Sequence, residues 1–345
     1  MKIAKRGGFG LPIHRRRIEN LPVLENSKQY TGSDLENIFF RPMLTGESAQ
    51  DLGVRVLYNM PQPTHVQLWD GQRNILQKFT SAGWAGGKAA TKYEKTVNLN
   101  RVKAELGFSA ANYFSMVYEK VSSLVNTHMD DLSGTELEQA ETALFKQALA
   151  ENIRVTMWIG DTSAASGYNT FDGLLKRING LVDDDGVYNF SYQAAALEDP
   201  AYAVELFDKL WAGADPRIPG LKADDRLAYF VSSDIYRLYE KYLDAKGADA
   251  AYADAMNGRR TLAYHGIPVV DVRLGSYLGA TSFRQSFVML TDRRNLVLAV
   301  NTADMPGNEV RMWYNPDEME NRQRAVFMAG TQILDEALIS FAYKQ

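Results

Sequence analysis

The chain has 345 residues, 46% hydrophobic and 11% aromatic, with a net charge of −4. That length suits two or three domains, and that composition supplies a buried core. Cysteine is absent, which excludes disulfides, thiolate metal sites and thiol nucleophiles, and no apolar run approaches the ~20 residues that span a bilayer.

The charge is unevenly placed. Residues 1–30 hold seven Lys/Arg against Glu19 and Glu25, a net +5, which leaves −9 for the rest of the chain. A basic arm on an acidic body points either to a polyanion or to an acidic neighbouring subunit. Arg15, Arg16 and Arg17, beside His14, are the densest part of that charge. The basic N-terminus lacks the apolar stretch of a secretory signal, and no membrane partner is expected. Gly7, Gly8, Gly10, Pro12, Pro22, Gly32 and Pro42 interrupt residues 1–50, so this segment reads as an arm without periodic structure or a core of its own.

A short strand is expected at 54–60 (VRVLYNM). Residues 73–106 read as a hairpin whose strand-like flanks enclose a Gly/Ala-rich tip, Ser81 to Thr91. On its return strand Tyr93, Val97 and Leu99 share a face with Lys95 and Arg101, so neither face suits a core. An isolated two-stranded ribbon is marginal in water, and Trp84 and Lys88 at the tip are therefore candidate contacts to another subunit. Phe114, Val117, Val121 and Leu124 mark a helical stripe over 109–125. A capping box, Ser133 with Glu136, then opens a long helix with Leu137, Ala140, Leu144, Ala148 and Asn152 on one face, widened by Phe145 and Leu149. Running to about Trp158 and stopped by Gly160, it is long for a globular helix.

Downstream, AYAVELFDKLWAG (201–213) reads as a helix, and LAYFVSSDIYRLYEKYLDAKG as a strand followed by a helix starting at Ser233 or Asp234. TLAYHGIPVVDVRLG, SFVMLTDRRNLVLAV and AVFMAGTQILDEALISFAY read as strands, the middle one folded at Thr291–Asn295. The class is mixed α+β, with sheets assembled from sequence-distant pieces.

Motifs that carry chemistry are missing. GWAGGKA (83–89) is one residue short of a phosphate loop, with Ala89 where a hydroxyl is required. DDDG (183–186) lacks the alternating carboxylates of a calcium loop. The four histidines are dispersed, and no GxSxG elbow or strand-flanked GxGxxG occurs. No catalytic residue, cofactor or metal is expected, and the chain is read as a non-enzyme.

In this order the parts resemble the major capsid protein of tailed bacteriophages, the Hong Kong 97-type fold. ENIRVTMWIGD resembles the end of the family's spine helix, and NTFDGLLKRI the loop that follows it. YFVSSDIYRLYEKYL looks like the axial strand running into a Ser-capped helix, YHGIPVVDV like the Gly-x-Pro-Val strand, and VMLTDRRNLVLAV like a hairpin with Asp292 and Asn295 at its turn. The resemblance covers nearly the whole chain from about Val54. It implies an N-terminal arm (1–53), an extended-loop hairpin and its base (54–108), a peripheral domain with the spine helix (109–195), an axial domain (196–305) and a return to the peripheral domain (306–345). It further implies pentamers and hexamers tiling an icosahedral shell around double-stranded DNA, with scaffold, portal and decoration proteins as partners, in a virion assembled in the host bacterial cytoplasm. Some members of the family cross-link covalently through an extended-loop lysine; Lys78, Lys88 and Lys92 are available here, but no matching Asn and Glu are identified, and the cross-link is not among the expectations. An encapsulin-like nanocompartment enclosing cargo enzymes shares this fold and is the alternative expectation; a metal-free α+β enzyme is the alternative from another class.

Overall fold

The computed structural model of the chain describes residues 28–41, 54–60, 64–69, 92–109, 136–247, 262–275, 277, 286–302 and 308–345. The architecture is α+β, two mixed six-stranded sheets and a short ribbon tied together by one long helix.

The first sheet holds β1 (Lys28–Tyr30), β2 (Arg55–Tyr58), β5 (Asn100–Ser109), β11 (Leu296–Asn301), β12 (Glu309–Asn315) and β13 (Glu320–Ile333). β13 organises it: β12 pairs along Glu320–Val326, β11 along Met328–Ile333 and β5 along Glu320–Ala329. The period-2 alternation of β13 turns Ala325, Phe327 and Ala329 towards the core. The ribbon is β3 (Thr64–Trp69) paired antiparallel with β4 (Lys92–Val97). The second sheet runs β6 (Tyr188–Tyr192), β14 (Ile339–Lys344), β10 (Phe287–Asp292), β7 (Leu227–Val231), β9 (Ile267–Asp271), β8 (Leu262–Tyr264). β7 and β10 are buried on both faces and read as continuous apolar runs.

The long helix, α1, spans Glu136–Ile159, 24 residues or ~36 Å at 1.5 Å per residue. It ends at Gly160, and its expected cap, Ser133, lies outside the described residues. Its buried stripe is rotated from the expected one. Phe145, Leu149 and Ile153 are at most 3% exposed, while Asn152 faces solvent and donates to the carbonyl of Ala148. From Ile153 to Gly160 every residue is buried, because there the helix leaves the first sheet and enters the second. Trp158 makes that junction, its ring 5.7 Å from Phe230 and 6.4 Å from Phe287. Helix α2 (Leu174–Asp183) packs beside α1. On the far face of the second sheet lie α3 (Tyr202–Ala212), α4 (Ile218–Lys222) and α5 (Ser233–Ala245), around Phe207, Leu210, Ile235 and Leu238.

Several expectations change. Within the segment read as unstructured, residues 28–41 form a strand and a helical turn, and Leu35, Phe39 and Phe40 are fully buried. Three apolar side chains seated on α1 and the first sheet outweigh the local Gly signal. The stretch 287–301 is no hairpin, since β10 belongs to the second sheet and β11 to the first. Likewise 325–343 is two strands in different sheets, β13 and β14, joined by a 3-10 turn at Glu336–Leu338. The 262–271 stretch is a hairpin turning at His265 and Gly266, both at positive φ. Ser232 caps α5, but its hydroxyl donates to Asp234 and accepts from Phe287 N on β10, so it ties the helix start to the sheet.

The 109–125 helical stripe lies beyond Ser109, outside the described residues.

Candidate functional site

The root of the ribbon is bound to the body. Val97 and Leu99, expected to find no core, are at most 2% exposed and form a small cluster with Val66, Val297, Ala299 and Leu334. This cluster covers part of the first sheet's outer face, opposite α1. β11 supplies it with a second apolar face, a signal invisible in the ribbon's own sequence. Polar bonds reinforce the root: Gln332 Nε2 donates to the Thr96 carbonyl at 2.8 Å, and Lys95 pairs with Glu336 at 2.5 Å. His65 lies 2.9 Å from Glu94 across the ribbon.

The two chain crossings between the sheets sit side by side. Asn295, 3% exposed, accepts from Asp335 N at 2.7 Å, donates to the Asp335 carbonyl at 2.8 Å, and its own carbonyl accepts from Leu334 N at 3.1 Å. Ion pairs flank this clasp, Arg217 to Asp335 and Arg226 to Asp292, both at 2.7 Å. The Asp215 and Asp335 carboxylates hold the Arg217 guanidinium above its ordinary range. The side chain of Asp292 also caps the 3-10 turn by accepting from Arg294 N.

The loop after α1 closes on two glycines. Gly173 N donates to the Gly160 carbonyl at 2.8 Å, and a Cβ at Gly173 would stand 2.5 Å from Gly160 N. Lys176 bridges Asp161 at 2.7 Å and Asp172 at 2.6 Å. Hydrogen bonds from Lys176 and Ser163 lower the Asp161 carboxyl to about 2. Beside this loop, a cleft of about 590 Å³ runs between β5 and α1, floored by Phe145, Leu149, Phe171 and Phe327. Its polar lining includes Lys103, Glu105, Asn152, Thr156, Tyr168 and Thr170. Among the described residues no three His, Cys, Asp or Glu side chains converge as metal ligands.

No protein-family model matches the sequence, and no curated protein does. Solved structures do match. The chain aligns over 89% of its length with 90% of a chain from the satellite phage P4 procapsid including size determination (Sid) protein, at 11% identity and a TM-score of 0.53. The fold is that of a phage capsid protein. A chain from the capsid of a native GTA particle aligns over 86% of this chain and 89% of its own, at 14% identity and TM-score 0.49. One from Gordonia phage Cozz covers 86% of both chains at 10% identity and TM-score 0.47. The likeness to the procapsid chain is consistent with the expected α+β class and Hong Kong 97-type fold.

The residues singled out as contacts, Arg15, Arg16, Arg17, Trp84 and Lys88, lie outside the described residues. What the structure adds is the paired corner at Asn295 and Asp335. Sequence reading placed Asn295 in a turn but gave no sign of its partner forty residues on. A polar pair ending two apolar strands was the available signal.

Proposed function

We propose that the chain is the major capsid protein of a tailed bacteriophage, assembling as pentamers and hexamers into an icosahedral shell around double-stranded DNA. One observation carries this reading: the likeness in fold to the P4 procapsid chain takes in nine-tenths of both chains, which supports a subunit plan of the same kind. The ribbon supports it. Its root is bound to the first sheet, and among the described residues its two strands pair only with each other, which suits a covering neighbour. On this reading the first sheet with the spine helix is the peripheral part and the second sheet the axial part. Trp84 and Lys88 contact a neighbouring subunit, scaffold and portal proteins act during assembly, decoration proteins sit outside, and the role is structural, not enzymatic. Purified protein, alone and with scaffold and portal, should form rings, sheets or shells in negative-stain micrographs. A single monomeric species under all these conditions would count against the reading.

A further inference from the structure

The outer face of the first sheet, beyond the part covered by the ribbon root, gathers arginines around one indole. Register places Arg311 on β12 directly opposite Arg324 on β13, and Trp313 opposite Arg322. The guanidinium carbons of Arg311 and Arg324 each stand 5.9 Å from the centre of the Trp313 ring. Like charges opposite one another on paired strands destabilise a sheet, so this arrangement calls for compensating anions. Part of the compensation is internal. Arg324 pairs with Glu309, and Arg322 with Glu318 and, at 3.4 Å, Glu320.

Arg311 takes no carboxylate among the described residues. Its Nε and that of Arg324 are buried without hydrogen-bond partners, so an outside group meets these side chains through their terminal nitrogens. A guanidinium offers five donors in a planar fork that matches a carboxylate. Here the fork lies against an indole on a half-buried surface, and Trp and Arg are the side chains that dominate binding energy at protein interfaces.

We propose, resting on the shell reading above, that the Arg311–Trp313–Arg324 face is a contact surface for a second copy of this chain, whose carboxylates complete the guanidinium pair. The occupant follows from charge. Outside residues 1–30 the chain carries a net −9, with exposed carboxylates that include Asp184, Asp185, Asp224 and Asp225. A nucleic acid fits this face less well. Glu105 stands opposite Arg324, and Glu309, Glu318 and Glu320 lie among the arginines, which breaks up the continuous positive field that regularly spaced phosphates require. An alternating pattern of both signs selects a patterned partner, fixed in one register.

The test is sedimentation velocity of the purified full chain over a range of protein and salt concentrations. Parent protein is compared with Arg311→Glu and the gentler Arg311→Gln, and melting curves confirm that each variant is folded. Association of the parent, weakened at least tenfold in Arg311→Glu and less in Arg311→Gln, with unchanged melting, is the expected result. Equal association of parent and variants overturns the contact and leaves the shell reading standing. A parent that stays monomeric throughout overturns both. Variants that assemble normally yet bind duplex DNA more weakly, measured by fluorescence anisotropy, would reassign the face to nucleic acid and overturn the proposed contact.

Discussion

Asn295 shows how much one side chain does in this fold. Its side-chain amide exchanges two hydrogen bonds with the backbone of Asp335, and its main-chain carbonyl accepts a third from Leu334 N, holding together the only two direct strand-to-strand crossings between the sheets among the described residues. Each such bond is worth about 1 kcal/mol net, and a backbone group left unpaired at a buried site costs about 1–3 kcal/mol. Asn295→Ala should therefore destabilise the subunit by about 2–3 kcal/mol, read from urea unfolding midpoints at constant slope. Asn295→Asp keeps the acceptor for Asp335 N but loses the donor to its carbonyl, and it should fall between parent and Ala. A second residue-scale expectation concerns acid. The Asp161 carboxyl is lowered in the folded state to about 2 from an ordinary 3.8 by Lys176 and Ser163. A depressed carboxyl contributes stability that is present above its unfolded value and is lost as pH falls through its folded value. Asp161→Asn should thus lower the melting temperature near neutral pH. That difference should shrink between about pH 4 and pH 2; a deficit of constant size across that window would show that the carboxylate charge is not the cause.

At the scale of elements, the loop between α1 and α2 explains why MWIGDTSAASGYNTFDGLL ends one helix and starts another so abruptly. Gly160 and Gly173 touch backbone to backbone, and a Cβ on Gly160 would meet the Phe171 carbonyl oxygen at 2.1 Å. Because the obstructing atoms are main chain, nothing swings aside. Gly173→Ala should cost about 2–3 kcal/mol by overpacking, and it should displace α2, on which Leu174, Leu175 and Ile178 are buried. A differential scanning experiment in which the variant melts with the parent would refute this. The same stretch marks what was legible in the sequence. The 3.6-residue periodicity gave the spine helix to within a few residues at its end, since Gly160 is a stop signal at any tertiary context. Its stripe came out one position off because Asn152 was counted as core, and only the neighbouring sheet decides that Phe145 and Leu149 point inward. Continuous apolar runs identified β10 and β11 as strands. They were read as one hairpin because a run buried on both faces carries no alternation to show which sheet it joins. The buried 28–41 segment escaped for a related reason: its three core residues, Leu35, Phe39 and Phe40, form too short a pattern to rise above the Gly and Pro around it.

At the scale of the whole molecule, the position of β1 bears on the basic arm. β1 pairs antiparallel with β12, Lys28 opposite Met312 and Tyr30 opposite Val310, so the N-terminal end of β1 lies on the Asn315 side of that pairing. From Met312 that strand extends only ~10 Å further. Arg17 is eleven residues before Lys28, a span of up to ~36 Å for extended chain. The arginine triplet thus has the reach to pass its own subunit's strand and meet an adjoining one. Its two candidate partners differ in what they demand. Phosphate binding releases counterions and falls steeply with salt, while tolerating many arm conformations. Paired carboxylates on a neighbour require one register, which suits Arg's planar fork and the turn-forming Gly and Pro residues of the arm. The proposal for the arm is therefore contact between subunits. Replacing Arg15, Arg16 and Arg17 together by Ala should impair the assembly of empty shells, followed by light scattering and counted in micrographs, while leaving the melting temperature of the unassembled subunit unchanged. Normal empty shells that then fail to retain their genome would give the arm to DNA instead.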